Sequence, residues 1–135
     1  MSQNVIKVFL AVCFCLLLTP VTAQESESKA IFTTLGDDLK SGDATKFSKW
    51  FAADLEMDVL GNAGICSKSQ AKQMMKNFYA SYTPKAFSVV HISGTLPMRY
   101  CIGTLLAGGE RFRVTLYVKT VRDTHTVQQI RIEKD

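Results

Sequence analysis

The chain has 135 residues, 47% of them hydrophobic and 21% charged, with a formal net charge of +4. That is enough for one ordered domain with a real core, and the composition excludes a low-complexity or repeat protein. The positive charge is mild and scattered. Without a dense Lys/Arg block interleaved with aromatics, nucleic-acid binding has no support.

The N-terminus reads as an export signal. Lys7 supplies a positive start, Val8 to Leu18 is an unbroken apolar run, and Pro20 precedes the small-residue stretch Val21-Thr22-Ala23. This is the secretory pattern, with cleavage expected after Ala23. The run is too short for a transmembrane helix, which needs roughly 20 apolar residues. The mature chain, 24–135, is therefore expected to be a single periplasmic or secreted domain. The alternative is a lipid anchor on Cys13 or Cys15. It fits less well, because Val12 is bulky and apolar residues continue past Cys13, where a polar tether should begin.

Helical spacing follows. Ala30, Ile31, Leu35 and Leu39 predict a first helix over 27–40. Ser41-Gly42-Asp43 stops it, and Asp43 is a good N-cap for a short second helix with Phe47, Trp50 and Phe51 on one face. Leu55, Met57 and Val59 alternate with Glu56 and Asp58, which predicts a half-buried strand. Residues 61–64 read as a turn, and Ile65-Cys66 as a very short return strand. Ser67 with Gln70 forms a capping-box pattern for a third helix. Ala71, Met74, Met75 and Phe78 line one face of that helix, Tyr79 and Tyr82 flank it, and Pro84 ends it. Four strands complete the chain, over 87–93, 99–107, 111–121 and 125–133. The first two are closed by Gly94 and Pro97 and by Gly108-Gly109. Short turns between consecutive strands predict an antiparallel meander. The order α-α-β-(β)-α-β-β-β-β is that of an α+β domain with helices laid on one face of a curved antiparallel sheet.

With that order, the chain resembles the nuclear transport factor 2-like (cystatin-like, ketosteroid isomerase-like) superfamily. Within it, the chain is most similar to a family of short exported bacterial proteins of unknown function. The stretches that carry the resemblance are Leu39-Lys40-Ser41-Gly42-Asp43-Ala44, Ser67-Lys68 with Gln70-Ala71, Phe78, Phe87, His91 and Gly94. They continue through Tyr100 with Ile102-Gly103-Thr104-Leu105, Phe112-Arg113-Val114, Lys119 and Ile130-Arg131-Ile132-Glu133. Together they span essentially the whole mature chain. The resemblance implies a cone-shaped fold with the sheet wrapped around the first helix, and pairing through the sheet. It implies no activity. Cys66 and Cys101 stand where an aromatic and a small residue are expected, which speaks against a required disulfide. Two lone cysteines are in any case weak support for a bridge, and they read as small hydrophobes.

Enzymes of such folds place a general base and hydrogen-bond donors on the concave face of the sheet. Strand parity tests for them. Leu55, Met57, Val59, Phe112, Val114, Leu116, Val118, Ile130 and Ile132 are expected to face in, bringing Gln128 with them. Tyr100, Thr104 and His91 are the other polar candidates for the inside, and no carboxylate is expected there. The candidate ligand-binding residues are His91, Tyr100, Gln128 and Tyr79, with His91 the sole candidate base. The expected outward set of Arg113, Thr115, Tyr117, Lys119 and Arg131 suits an interface, such as a homodimer through the sheet face. No metal-ligand cluster, nucleophile elbow or phosphate-type glycine loop occurs, so no cofactor or metal is expected. The reading that follows is a non-catalytic exported domain that binds an apolar small molecule or another protein. The alternatives are an isomerase- or dehydratase-type enzyme using His91, and a structural component of the cell envelope.

Overall fold

The computed structural model describes residues 23–135, and the expected export signal lies outside them except for Ala23. The described residues divide into two units, 23–31 and 32–135. In the first, the described residues 23–31 are helical. Helical backbone thus starts earlier than the expected residue 27 and runs to residue 40. Its portion in the second unit, 32–40, is called α1.

The second unit continues with α2 (Ala44–Ser48), β1 (Phe51–Val59), β2 (Asn62–Ser67), α3 (Lys68–Ser81), β3 (Pro84–Thr95), β4 (Met98–Ala107), β5 (Glu110–Val121) and β6 (Thr124–Lys134). Both expected caps are present. The Asp43 carboxylate accepts from the backbone N–H groups of Thr45 and Lys46, and Ser67 and Gln70 form the reciprocal capping box. The short second helix is corrected. It ends at Ser48, and Phe51 opens β1 instead of continuing the helix. Strand pairing wins here, because the Val127 N–H donates to the Trp50 carbonyl at 2.7 Å. The Phe47 and Phe51 rings still meet edge-on, 5.1 Å apart.

The six strands form one sheet in the order β2-β1-β6-β5-β4-β3. Strands β3 to β6 make the expected antiparallel meander. β1 joins it by parallel pairing to β6, so the sheet is mixed. The return strand β2 is also longer than expected, with six residues paired to β1. Leu60 and Gly61, both at positive φ, make the two-residue turn between them, which leaves Asn62 to Gly64 free to pair.

All three helices lie on one face of the sheet, called here the inner face. Phe78 and Tyr82 of the α3 region pack on Phe112 of β5 with ring centroids 5.3 and 4.9 Å apart. The Phe87 ring sits between Gly36 of α1 and Gly103 of β4, where neither position has room for a Cβ. Leu35, Leu39, Phe47, Met75, Leu105, Phe112, Val114, Leu116, Ile130 and Ile132 are fully buried and form the centre of the core. Among the described residues no helix is long and apolar enough to cross a membrane.

Candidate functional site

On β5 the observed parity is the expected one. Phe112, Val114, Leu116 and Val118 are buried, and Arg113, Thr115, Tyr117 and Lys119 lie on the outer face. Arg131 is also outward, flanked by Asp58 at 3.6 Å and Glu133 at 2.9 Å. All five residues expected to form an interface thus share one face of the sheet.

The expected inward polar set is corrected at each position. On β4 the buried residues are Arg99, Cys101, Gly103, Leu105 and Ala107, so Tyr100 and Thr104 point outward. On β3 the register shifts between Val89 and His91, leaving Val90 without a partner. This bulge reverses the alternation. Phe87, Val89 and Ile92 pack on the core, and His91 is exposed on the outer face with its ring 6.3 Å from that of Tyr100. A second bulge lies on β6, where Val118 pairs with Val127 and Tyr117 with Gln129. Val127 takes the buried position, and Gln128 lines a groove with Tyr117 and Gln129.

Tyr79 does lie on the inner side, but within the core rather than beside a cavity. It is 8% exposed, and its hydroxyl donates to the Leu39 carbonyl at 2.7 Å. Burial, followed by the nearby charges of Asp43 and Asp38, pushes its phenol well above the ordinary range. It is a structural tyrosine that ties α3 to the end of α1.

Among the described residues the two cysteines, Cys66 and Cys101, are free. They lie on β2 and β4, four strand spacings apart in the sheet order, or roughly 19 Å, far beyond disulfide reach. Cys66 is half-buried with its sulfur 3.5 Å from the Met74 sulfur. Cys101 is fully buried, and burial pushes its thiol up to about 12.

The outer face is where polar and aromatic groups gather. Cross-strand register places Ile65, Glu56, Gln129, Tyr117 and Tyr100 in one row across β2, β1, β6, β5 and β4. Tyr100 and Tyr117 are stacked with centroids 5.0 Å apart. Around this row runs a groove of about 310 Å³ lined by Asp54, Glu56, Ile65, Met98, Tyr117 and the two glutamines, with Leu55 at its floor. A second groove of about 290 Å³ adjoins it along β1 and β2. Sequence reasoning missed Asp54, Ile65 and Met98 as members of this surface. For Ile65 and Met98 the signal was exposure of large apolar side chains, 77% and 38%, which only the folded sheet reveals. Among the described residues no three His, Cys, Asp or Glu side chains cluster as a metal would need.

Residues 32–133 match the model of a domain of unknown function, DUF4783. No curated protein matches the chain. A DUF4783 family protein from Bacteroides ovatus is similar in structure, with a TM-score of 0.70, 26% identity, and coverage of 75% of this chain and 92% of that one. One from Bacteroides uniformis has a TM-score of 0.69 at 22% identity, covering 74% and 93%. An NTF-2 like protein of unknown function from Silicibacter pomeroyi has a TM-score of 0.63 at 14% identity, covering 84% and 98%. The fold is that of the nuclear transport factor 2-like class, as the order of helices and strands led one to expect.

Proposed function

The chain belongs to the DUF4783 family, a family of unknown function, and from that premise and the geometry of its sheet we propose a non-catalytic exported domain that binds protein through the outer sheet face. A single observation carries this reading. The side chains expected to supply chemistry inside the fold, His91, Tyr100 and Gln128, lie on the outer side together with every residue expected at an interface. The isomerase-type alternative thereby loses its base, because His91 is exposed and turned away from the core. The outer face combines a tyrosine stack, exposed apolar side chains and paired charges, which is the chemistry of a protein interface. A homodimer through this face belongs to the same reading. Export to the periplasm or the medium is supported by the charged start, apolar run and small-residue site of residues 1–23.

Labelling in the native compartment tests the reading. In a Cys66→Ser background, Thr115→Cys places a thiol on the outer face and Lys76→Cys places one on exposed α3. A maleimide should reach the α3 thiol equally in cells and in dilute purified protein. It should reach the sheet thiol only in the dilute protein. Equal labelling of both thiols in cells would refute an occupied outer face, and retention of both in the cytoplasm would refute export.

A further inference from the structure

Resting on that reading, we infer that the outer face binds an arginine from an extended segment of another exported protein, seated in the groove where β1 and β6 part. The break in the strand ladder makes the site. β1 pairs Phe51 with Val127 and next pairs Glu56 with Gln129. Residues 52–55 therefore lie opposite Gln128 alone. Gln128 is skipped on its other side too, since Val118 pairs with Val127 and Tyr117 with Gln129. Strands that part in this way open the surface between them, and such irregularities recur next to active sites. The groove of about 310 Å³ lies at this break, with Asp54, Glu56, Gln128 and Gln129 around it. That volume is at the lower end for a ligand site, about 300 Å³, and suits one long side chain.

Charge selects a cation. The chain as a whole carries +4, yet the charged side chains lining this groove, Asp54 and Glu56, are both carboxylates. Further along β1, Asp58 is matched by Arg131 at 3.6 Å. Among the described residues Asp54 and Glu56 have no such ion pair. The groups beside them favour arginine over lysine. The Gln128 amide N–H donates to the Thr126 hydroxyl at 2.9 Å, which keeps its amide oxygen as an acceptor. Tyr100 stacks on Tyr117 from the β4 side, and Tyr117 in turn lines the groove. A planar guanidinium can stack on a tyrosine ring, fork onto a carboxylate and donate to amide oxygens at once, whereas an ammonium is a point charge.

The apolar side chains set the length of the segment. Ile65 on β2 and Met98 on β4 stand exposed at opposite ends of the groove. The spacings from β2 to β4, at about 4.8 Å each, give a span of roughly 19 Å. An extended chain covers that in about six residues, at about 3.3 Å each. The occupant is thus an extended segment of about six residues crossing the strands, with arginine near its middle and apolar side chains toward its ends. Exposed carboxylates and few apolar contacts make the complex weak and salt-sensitive.

Hexapeptide pools test this on the purified protein. Each pool fixes one central residue, as arginine, lysine, glutamine or glutamate, and mixes the remaining positions. At low salt the arginine pool should be retained about fivefold over the glutamine pool, with the lysine pool between them and apolar residues enriched at the ends. Glu56→Gln should cut retention of the arginine pool about threefold, and Glu56→Lys should turn the preference toward the glutamate pool. Glu56 is exposed, so both variants should keep the parent circular dichroism spectrum. No preference for arginine over glutamine, or a preference that Glu56→Lys leaves intact, would overturn the inference. The in-cell labelling of Thr115→Cys can fail separately. A protected thiol beside an unselective groove would sink the arginine site alone, and an open thiol beside a selective groove would refute the occupied face instead. If that thiol were protected in concentrated pure protein as it is in cells, the occupant would be a second copy and the arginine segment would fall.

Discussion

Removing one oxygen from Tyr79 tests how the end of α1 is held. The last carbonyls of a helix have no partner within it. Here they are taken one by one. The Ser41 N–H donates to the Asp37 carbonyl at 3.0 Å, the Ser41 hydroxyl to Asp38 at 2.6 Å, and the Tyr79 hydroxyl to Leu39 at 2.7 Å. Of these, the bond to Leu39 is the buried one. Tyr79→Phe keeps the ring and opens no cavity, but leaves the Leu39 carbonyl without its hydroxyl partner. The expected loss is about 1–2 kcal/mol. For a domain of this size that is a drop in Tm of about 5–10 °C, measurable by calorimetry or by urea denaturation at pH 7. The pH dependence adds a second readout. Burial raises the phenol in the folded chain, so above about pH 10 the unfolded chain loses a proton that the folded chain retains. Stability conferred by the neutral phenol is complete below that pH and declines above it. The gap between parent and Tyr79→Phe should therefore narrow as pH rises past 10. A variant within about 0.3 kcal/mol of the parent at pH 7, with a constant gap to pH 11, would refute the role assigned to the hydroxyl.

Cys101 should behave in the same sense at lower pH. Its thiol is raised from an ordinary value near 9.0 to about 12, chiefly by burial and against a hydrogen bond from the Leu116 backbone. Stability should fall between these values by up to about 1.4 kcal/mol per pH unit, and Cys101→Ala should give a shallower alkaline limb in pH-dependent urea melts. An identical slope would mean that the thiol is not held neutral. Gly103→Ala would drive a methyl into the Phe87 ring and to 2.8 Å from the Ser88 carbonyl oxygen. It should destabilise by about 1–3 kcal/mol, and Phe87→Leu in the same chain should recover part of that loss. Strict additivity of the two changes in denaturation would argue against the contact.

Much of the architecture was legible because its causes are local. Ser67 and Gln70 cap α3 through side chains three residues apart, and the alternation along β5 is readable as written. Gly108-Gly109 needs no distant partner to turn the chain, since both residues sit at positive φ. Phe51 was misplaced because its period fits a helix, whereas pairing with Val127 draws it into a strand. The tail of β2 was hidden for a related reason. Asn62, Ala63 and Gly64 are weak strand formers, and β1 supplies their pairing.

The candidate site was less legible, and two residues explain why. Alternation assigns a face only while the count stays in step, and the bulges at Val90 and Gln128 each break it. A bulge is set by the register of the neighbouring strand, which is a non-local fact. Sequence alone determined the helix-then-strand order, the caps, the turns and the apolar identity of the core, because each depends on neighbours within a few residues. Tertiary structure decided the parallel join of β1 to β6, the turning of His91 and Gln128 to the outer face, and the single row from Ile65 to Tyr100. Those depend on which strands lie side by side, and hydrogen bonding across the sheet selects that only once the chain has folded.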